Sequence, residues 1–338
     1  MVVPARNEAE VIGKSVAALL QQGCADAVHI FVVDDNSTDA TAEVARSAAA
    51  ESGHGKRVSI ISGRPLPPGW SGKLWAVQQG IEQAAKLDPD FFLLTDADIE
   101  HAPDNIARLV AIANDGSYDL ASFMVKLHCR SFAEKLLIPA FVFFFLLLYP
   151  PQWIRDPRRK TAGAAGGCIL IRPAALARAG GIEAIRHEII DDCALARAVK
   201  RTGGRVWLGM TADTRSLRPY NSFAEIEHMI ARTAFNQLRH SAWLLLATVL
   251  AMLIVFVLPL ALLFSGSLLP AVIGGIVFLL LSAAYLPMIR FYRLNPLWAL
   301  TLPFSGIFYV AATIHSAFKY WTGRGGEWKG RTQDAAPR

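Results

Sequence analysis

Cysteine is scarce: the 338 residues hold four, Cys24, Cys129, Cys168 and Cys193, with no CxxC pair and no metal-like spacing to histidine. That pattern suggests neither a disulfide framework nor a zinc site, and a reducing compartment is the simpler reading. No basic and then apolar leader opens the chain, because Met1-Val2-Val3-Pro4 runs directly into Arg6, Asn7 and Glu8; the part that carries chemistry is therefore expected in the cytosol. Nor is charge of one sign gathered in a block. The 34 Lys and Arg face 28 acids, for a net charge of +6 and a pI near 9.2, spread along the chain. Such a balance suits anionic lipid or a nucleotide diphosphate better than DNA, so no nucleic-acid partner is expected. With 53% hydrophobic residues and a mean hydropathy of +0.33 the chain is too apolar for an ordinary soluble enzyme, yet 18% charged residues is too many for a pure membrane bundle. One soluble domain plus a membrane part fits both.

From Met1 to about Gly209 short apolar strands alternate with amphipathic helices, the pattern of a mostly parallel α/β sheet. Strands are predicted at His29–Val33, Val58–Ser62, Phe91–Thr95, Leu120–Val125 and Gly167–Ile171, and helices at Glu8–Gln22, Ala40–Glu51, Leu74–Ala85 and Asn105–Asn114. Gly23, Gly53 and Gly116 fall just past three of these helices, where a left-handed cap is expected. Only Met1, Val2 and Val3 precede Pro4, a short first strand that suggests a lost segment ahead of it.

Beyond about Pro219 the composition changes. Ser241–Phe264 and Leu268–Ile289 are each long enough to cross a bilayer core, with Leu297–Phe318 as a third candidate. Three crossings would put Lys319, Arg324, Lys329 and Arg331 on the side opposite the cytosol, against the positive-inside rule, so Leu297–Phe318, with Pro303 and Ser305-Gly306, is expected to cross only in part. Leu136–Pro150, interrupted by Pro139, reads as an interfacial or re-entrant segment. The domain plan is a catalytic domain over 1–219 with that segment at 136–150, an interfacial helix at 220–240, two or three transmembrane helices over 241–320 and a basic tail at 321–338.

Two constellations carry chemistry. Pro4-Ala5-Arg6-Asn7-Glu8 ends the first strand and Asp34-Asp35-Asn36-Ser37-Thr38-Asp39 the second, both at the carboxyl edge where open α/β sheets bind ligands. Acids and amides there can hydrogen-bond a base and ribose, although Ser37 serves equally well as a turn or cap. Asp96 and Asp98 flank one residue at the end of an apolar strand and can hold Mg²⁺ or Mn²⁺, which would in turn neutralise a diphosphate.

In order, the segments PARNEA, DDNSTD, GWSGKLWA, TDAD and IIDDCAL resemble the family 2 glycosyltransferases, which have a GT-A fold, Rossmann-like and built for nucleotide-diphospho-sugars. More narrowly, most of the chain is similar to the hopanoid-biosynthesis-associated (hopene-associated) glycosyltransferases. The resemblance implies that Asp34 or Asp35 contacts the base, Glu8 lies near the ribose, and Asp96 with Asp98 binds metal and diphosphate. Lys73, after the Pro67-Pro68-Gly69-Trp70 turn, would meet a phosphate. Inverting transfer needs a base for the acceptor hydroxyl, and the family's acidic pair falls on Asp191 and Asp192, Asp192 being the first choice. Small residues at Ala164–Gly167 would admit a sugar or acceptor. The family's Gln/Arg-x-x-Arg-Trp motif has no intact copy; Asn236-Gln237-Leu238-Arg239-His240 comes nearest, which favours a single transfer over polymer synthesis and leaves Arg239 and Arg232 as phosphate or lipid-headgroup contacts. His128, beside Lys126 and Arg130, is a candidate for the acceptor cleft, although an isolated histidine is more often structural, and Trp328-Lys329-Gly330-Arg331 is a candidate for interfacial anchoring.

The resulting expectation is a multi-pass enzyme of the inner (cytoplasmic) membrane, its catalytic domain in the cytosol, moving one sugar from a nucleotide-sugar, a UDP-sugar foremost, to a hopanoid acceptor with Mg²⁺ or Mn²⁺. Other lipids (carotenoid, sphingolipid-like or polyprenyl phosphate), an idle membrane scaffold and a transporter are the alternatives.

Overall fold

A computed structural model describes residues 1–23, 27–323, 327–328 and 331–332. The chain divides into two compact units, Met1–Leu127 with Tyr149–Arg218 and Trp328–Arg338, and His128–Leu148 with Pro219–Glu327.

The first unit is built on strands β1 (Val2–Ala5), β2 (Ile30–Asp34), β3 (Val58–Ser62), β4 (Phe92–Leu94), β5 (Ile99–Glu100), β6 (Leu120–Lys126), β7 (Ile169–Ile171) and β8 (Val206–Ser216). Its helices are α1 (Ile12–Leu20), α2 (Thr41–Glu51), α3 (Gly72–Ala84) and α4 (Asn105–Asp115); after the chain passes through α5 (Phe132–Leu148) of the second unit, α6 (Pro151–Arg155), α7 (Pro173–Arg178) and α8 (Asp191–Arg201) follow. The sheet order is β3-β2-β1-β4-β7-β6-β8-β5. It is mostly parallel, as expected, but mixed, because β7 runs antiparallel between β4 and β6, and β5 antiparallel to β8. Strand β8 is absent from the predicted set for a physical reason: its burial is irregular and its second half carries Asp213 and Arg215, so it lacks the apolar run that marks the inner strands.

Alternation along the strands covers both faces. Val3, Ala5, Ile30, Val32 and Leu93 join Ile12, Val16, Leu19, Ile106 and Leu109 in one buried cluster. The opposite face takes α3 so closely that a Cβ on Gly80 would lie 2.3 Å from Val2 Cγ1. The first helix starts at Ile12, not Glu8, because Asn7 takes a left-handed turn (φ 53) and the Glu8 carbonyl accepts the turn bonds from Val11 and Ile12. Of the three helix-end glycines only Gly53 is left-handed (φ +72). After α4 that conformation falls on Ser117 (φ 50), and Gly23 instead donates its N–H to Pro103 O at 2.8 Å.

The second unit is helical: α5, then α9 (Phe223–Ala231), α10 (Ala234–Gln237), α11 (Ala242–Met252), α12 (Leu258–Leu263), α13 (Leu268–Phe291) and α14 (Leu302–Trp321). A π-helical stretch, Leu253–Val257, joins α11 to α12 just ahead of Pro259, whose ring and missing N–H disturb a regular ladder there. Among the described residues, four helical stretches are by length and composition apolar enough to cross a membrane: Phe132–Arg155, Ala242–Leu263, Leu268–Phe291 and Pro296–Trp321. The run expected at Leu136–Pro150 is thus longer, 24 residues with α6 included. Near Pro139, Ser305 Oγ donates to Leu136 O at 2.8 Å and Tyr309 Oη to Leu137 O at 3.1 Å. Pro303 does not break the last stretch, since it sits in the first turn of α14, where proline is tolerated. The interfacial helix expected over 220–240 is two short helices, α9 and α10. Cys24 and most of the basic tail, including Lys329 and Gly330, lie outside the described residues.

Candidate active site

The loops after β1 and β2 are laced together. Asn7 Oδ1 accepts from Thr38 N at 2.8 Å, Asn7 N donates to Ser37 Oγ at 3.0 Å, and Glu8 N donates to Thr41 Oγ1 at 2.8 Å. Asn36 shares the left-handed conformation of Asn7 (φ 53 for both), which asparagine tolerates well. Ser37 serves the turn, donating its hydroxyl to Asp34 Oδ1. Asp34 is half-buried, while Asp35 is fully buried with Arg6 Nη1 at 3.9 Å from its carboxylate.

Where β4 ends, Asp96 and Asp98 are each engaged by a cation. Lys73, in the first turn of α3, places Nζ 2.8 Å from Asp96 Oδ1 and 3.0 Å from Asp191 Oδ2. Arg218, just past β8, places Nε 3.0 Å from Asp98 Oδ2 and reaches Glu8 with Nη2 at 2.5 Å. Burial alone would lower the Lys73 pKa, but the charges of Asp191 and Asp96 outweigh it and raise it. Burial and then the charge of Asp96 push Asp98 up, with Arg218 opposing.

Asp191 opens α8, yet its carboxylate caps nothing there and instead meets Lys73. Asp192 accepts from Gly166 N at 2.9 Å and Cys193 N at 2.6 Å. Burial, followed by the charge of Asp191, pushes its pKa up to about 6 against the pull of Lys73. Pro4, Lys73, Thr95, Asp96, Gly166, Asp191 and Asp192 line a single pocket together with Ile182 and Ile185. At its centre a Cβ on Gly166 would come within 3.4 Å of both Asp96 Oδ2 and Lys73 Nζ and within 3.6 Å of Asp192 Oδ2, ordinary contact distances. Gly166→Ala should therefore leave the melting temperature unchanged while narrowing the pocket; if reactants bind there, kcat/KM falls by roughly a hundredfold.

The family model for glycosyl transferase family 2 matches residues 1–180. This chain belongs to glycosyl transferase family 2. Among relatives of this family member, an undecaprenyl-phosphate 4-deoxy-4-formamido-L-arabinose transferase of Pseudomonas aeruginosa is 34% identical over 124 residues, 36% of this chain and 33% of the relative. The uncharacterized protein MJ1222 of Methanocaldococcus jannaschii is 32% identical over 121 residues, 36% of this chain and 44% of its own length. These matches thus span less than half the length of either relative. A mannosyltransferase of Pyrobaculum calidifontis, solved with GDP-Man and Mn²⁺, shares the fold, with a TM-score of 0.56 and 19% identity over 96% of this chain and 86% of the other.

Two carboxylates one residue apart are the hard oxygen donors that Mg²⁺ or Mn²⁺ takes, so Asp96 and Asp98 fit a divalent ion. Among the described residues no group of three or more His, Cys, Asp or Glu is arranged to hold one, so diphosphate oxygens and water would complete the shell. Arg218 is missed by sequence reasoning because the strand that delivers it is missed, β8 having no apolar run to mark it. Trp70 is explained by packing, its ring edge-on to Trp75 at 5.1 Å. Arg239 and Arg232 belong to the second unit, where Arg239 and His240 end a helical turn in left-handed conformation (φ 53 and 56) and His240 stacks on Tyr320 at 4.0 Å. His128 bonds Glu134 at 2.6 Å, a local structural partner.

Beneath the pocket, Thr95 Oγ1 donates to Gly167 O and lies 2.8 Å from His101 Nε2, while His101 Nδ1 lies 3.0 Å from Asn105 Nδ2. Burial lowers the His101 pKa to about 4. The unfolded chain takes up this proton below about pH 6.5 and the folded one only near 4, so stability is lost as pH falls through that window, by about 3 kcal/mol. Thermal melts of detergent-solubilised protein should show this slope, reduced in His101→Gln.

Proposed function

We propose that the chain is a membrane-bound inverting glycosyltransferase that moves one sugar from a nucleotide-diphosphate sugar to a lipid acceptor. The observation that carries this reading is Lys73 held between Asp96 and Asp191 with Asp192 beside them, a cation and a near-neutral base lining one pocket. Asn7, Glu8 and Asp34 or Asp35 would face base and ribose, with Pro4 lining the pocket floor. Asp96 and Asp98 would hold Mg²⁺ or Mn²⁺, which supplies positive charge to the diphosphate. As an acceptor hydroxyl attacks the anomeric carbon, the bond to the diphosphate breaks on the opposite face and the hydroxyl proton passes to Asp192. Lys73 then meets the negative charge left on the departing diphosphate.

A base pushed up to about 6 favours a hydroxyl acceptor, and the resemblance to hopanoid-associated enzymes supports a polycyclic triterpenoid. The undecaprenyl-phosphate sugar transferases among its relatives support a second reading, a polyprenyl phosphate acceptor, whose oxygen is already anionic and needs no base. Four apolar helical stretches support a membrane location; the inner membrane with the catalytic domain in the cytosol is the proposed arrangement.

The test is a donor screen in nanodiscs with Mn²⁺ or Mg²⁺, UDP- and GDP-sugars and hopanoid-containing lipid extract, read by mass spectrometry. A sugar-sized mass gain is expected on one lipid, lost with EDTA. An acid-labile sugar phosphate would select the second reading, and absence of product together with absence of nucleotide binding would leave a scaffold. Asp98→Ala is expected to abolish metal-dependent donor binding; normal donor affinity in that variant would remove the metal assignment.

A further inference from the structure

The apolar stretch Phe132–Arg155 runs directly into Asp156-Pro157-Arg158-Arg159-Lys160, so four cations and one acid fall within six residues. Arg155, Arg158, Arg159 and Lys160 are all exposed, and so is Trp153, at 45%. The Arg159 guanidinium lies 4.5 Å over the Trp153 ring. Asp156 is used inside the turn, accepting from Arg158 N at 2.9 Å and facing Arg159 Nε at 3.7 Å. It leaves the cations in excess on the outer surface.

This turn is held from below. Ile154 is fully buried, and Lys200 Nζ on α8 donates to the carbonyls of Ile154 at 2.7 Å, Thr161 at 2.8 Å and Trp153 at 3.2 Å. One buried-side lysine thus clamps both ends of a turn whose outward side chains are an amphipathic ring and four cations. None of these residues belongs to the pocket around Lys73.

We propose that the 153–160 turn is a contact surface for anionic phospholipid headgroups. Tryptophan prefers the level of the headgroups, and clustered Lys and Arg beside a membrane segment are attracted to anionic lipid by roughly fivefold in affinity per charge. A soluble anion would not explain an exposed indole among the cations, nor their position directly after an apolar stretch. The inference rests on the membrane part of the proposed function and is independent of sugar transfer.

The test uses the full chain in nanodiscs containing brominated phosphatidylglycerol or brominated phosphatidylcholine, with Trp153→Phe subtracted to isolate the Trp153 fluorescence. Stronger quenching by the brominated phosphatidylglycerol is expected, fading as salt approaches about 1 M because exposed charges are screened. The variant R155Q/R158Q/R159Q/K160Q should retain at least tenfold less phosphatidylglycerol after detergent extraction, read by native mass spectrometry. Equal quenching by both lipids, quenching indifferent to salt, or undiminished lipid retention by the variant overturns the proposal. Should the fourfold variant fail to fold, the salt dependence of the Trp153 signal, isolated by the Trp153→Phe subtraction, decides alone, and none of these readouts requires that sugar be transferred.

Discussion

Asp192→Asn should lower kcat by about two to four orders of magnitude, the usual contribution of a positioned general base, while nucleotide-sugar affinity stays close to that of the unmodified protein. The substitution keeps shape, and the Asn carbonyl oxygen can still accept the N–H of Gly166 or Cys193 that Asp192 accepts now. It removes the one property that matters, the capacity to take a proton. In the unmodified enzyme kcat/KM should fall as pH drops below about 6, where the carboxylate protonates. Single-turnover kinetics and donor titration on the same preparation check both statements. If Asp191→Asn shows this separation and Asp192→Asn does not, the base lies one residue earlier.

Lys73→Met is the second large effect expected, a loss of about two to three orders of magnitude in kcat, the scale of removing one preorganised electrostatic contact to a charge that develops during reaction. Methionine fills the space and leaves Asp96, Asp191 and Asp192 together without their shared cation. Because Lys73 is among the groups holding the Asp192 pKa down, its removal should also shift the acid limb of the pH profile upward. A profile that drops in height without moving would mean that Lys73 acts on the diphosphate alone. Measuring kcat/KM from pH 5 to 8 on the variant separates the two roles, a span chosen around the Asp192 value.

How much was legible in the sequence depends on how local the signal is. Asp34, Asp35, Asp96 and Asp98 stand out because each follows a run of buried apolar strand residues, and a polar residue at that boundary is visible in one dimension. Three of the four described stretches apolar enough to cross a membrane are legible for the same reason, composition over about 20 residues being enough, whereas Phe132–Arg155 reads as a shorter run interrupted by Pro139. Strand β8 was not, since a half-exposed strand with mixed polarity resembles a loop, and the antiparallel placement of β7 was not, since direction within a sheet leaves no mark on the strand itself. The start of α1 was misjudged by four residues because the bonds that hold Asn7 and Glu8 out of the helix come from Ser37, Thr38 and Thr41, about thirty residues away.

By itself, then, the sequence determined which segments are buried strands, which are apolar enough for a bilayer, and which acids stand at the strand ends, since hydrophobic patterning is written in near neighbours. Only the tertiary structure decided which cation serves which acid. Arg218 reaches Glu8 across 210 residues and Asp98 across 120, and Lys73 meets both Asp96 and Asp191. Such pairings depend on sheet order and loop placement, and Coulomb attraction acts on distance in space rather than along the chain.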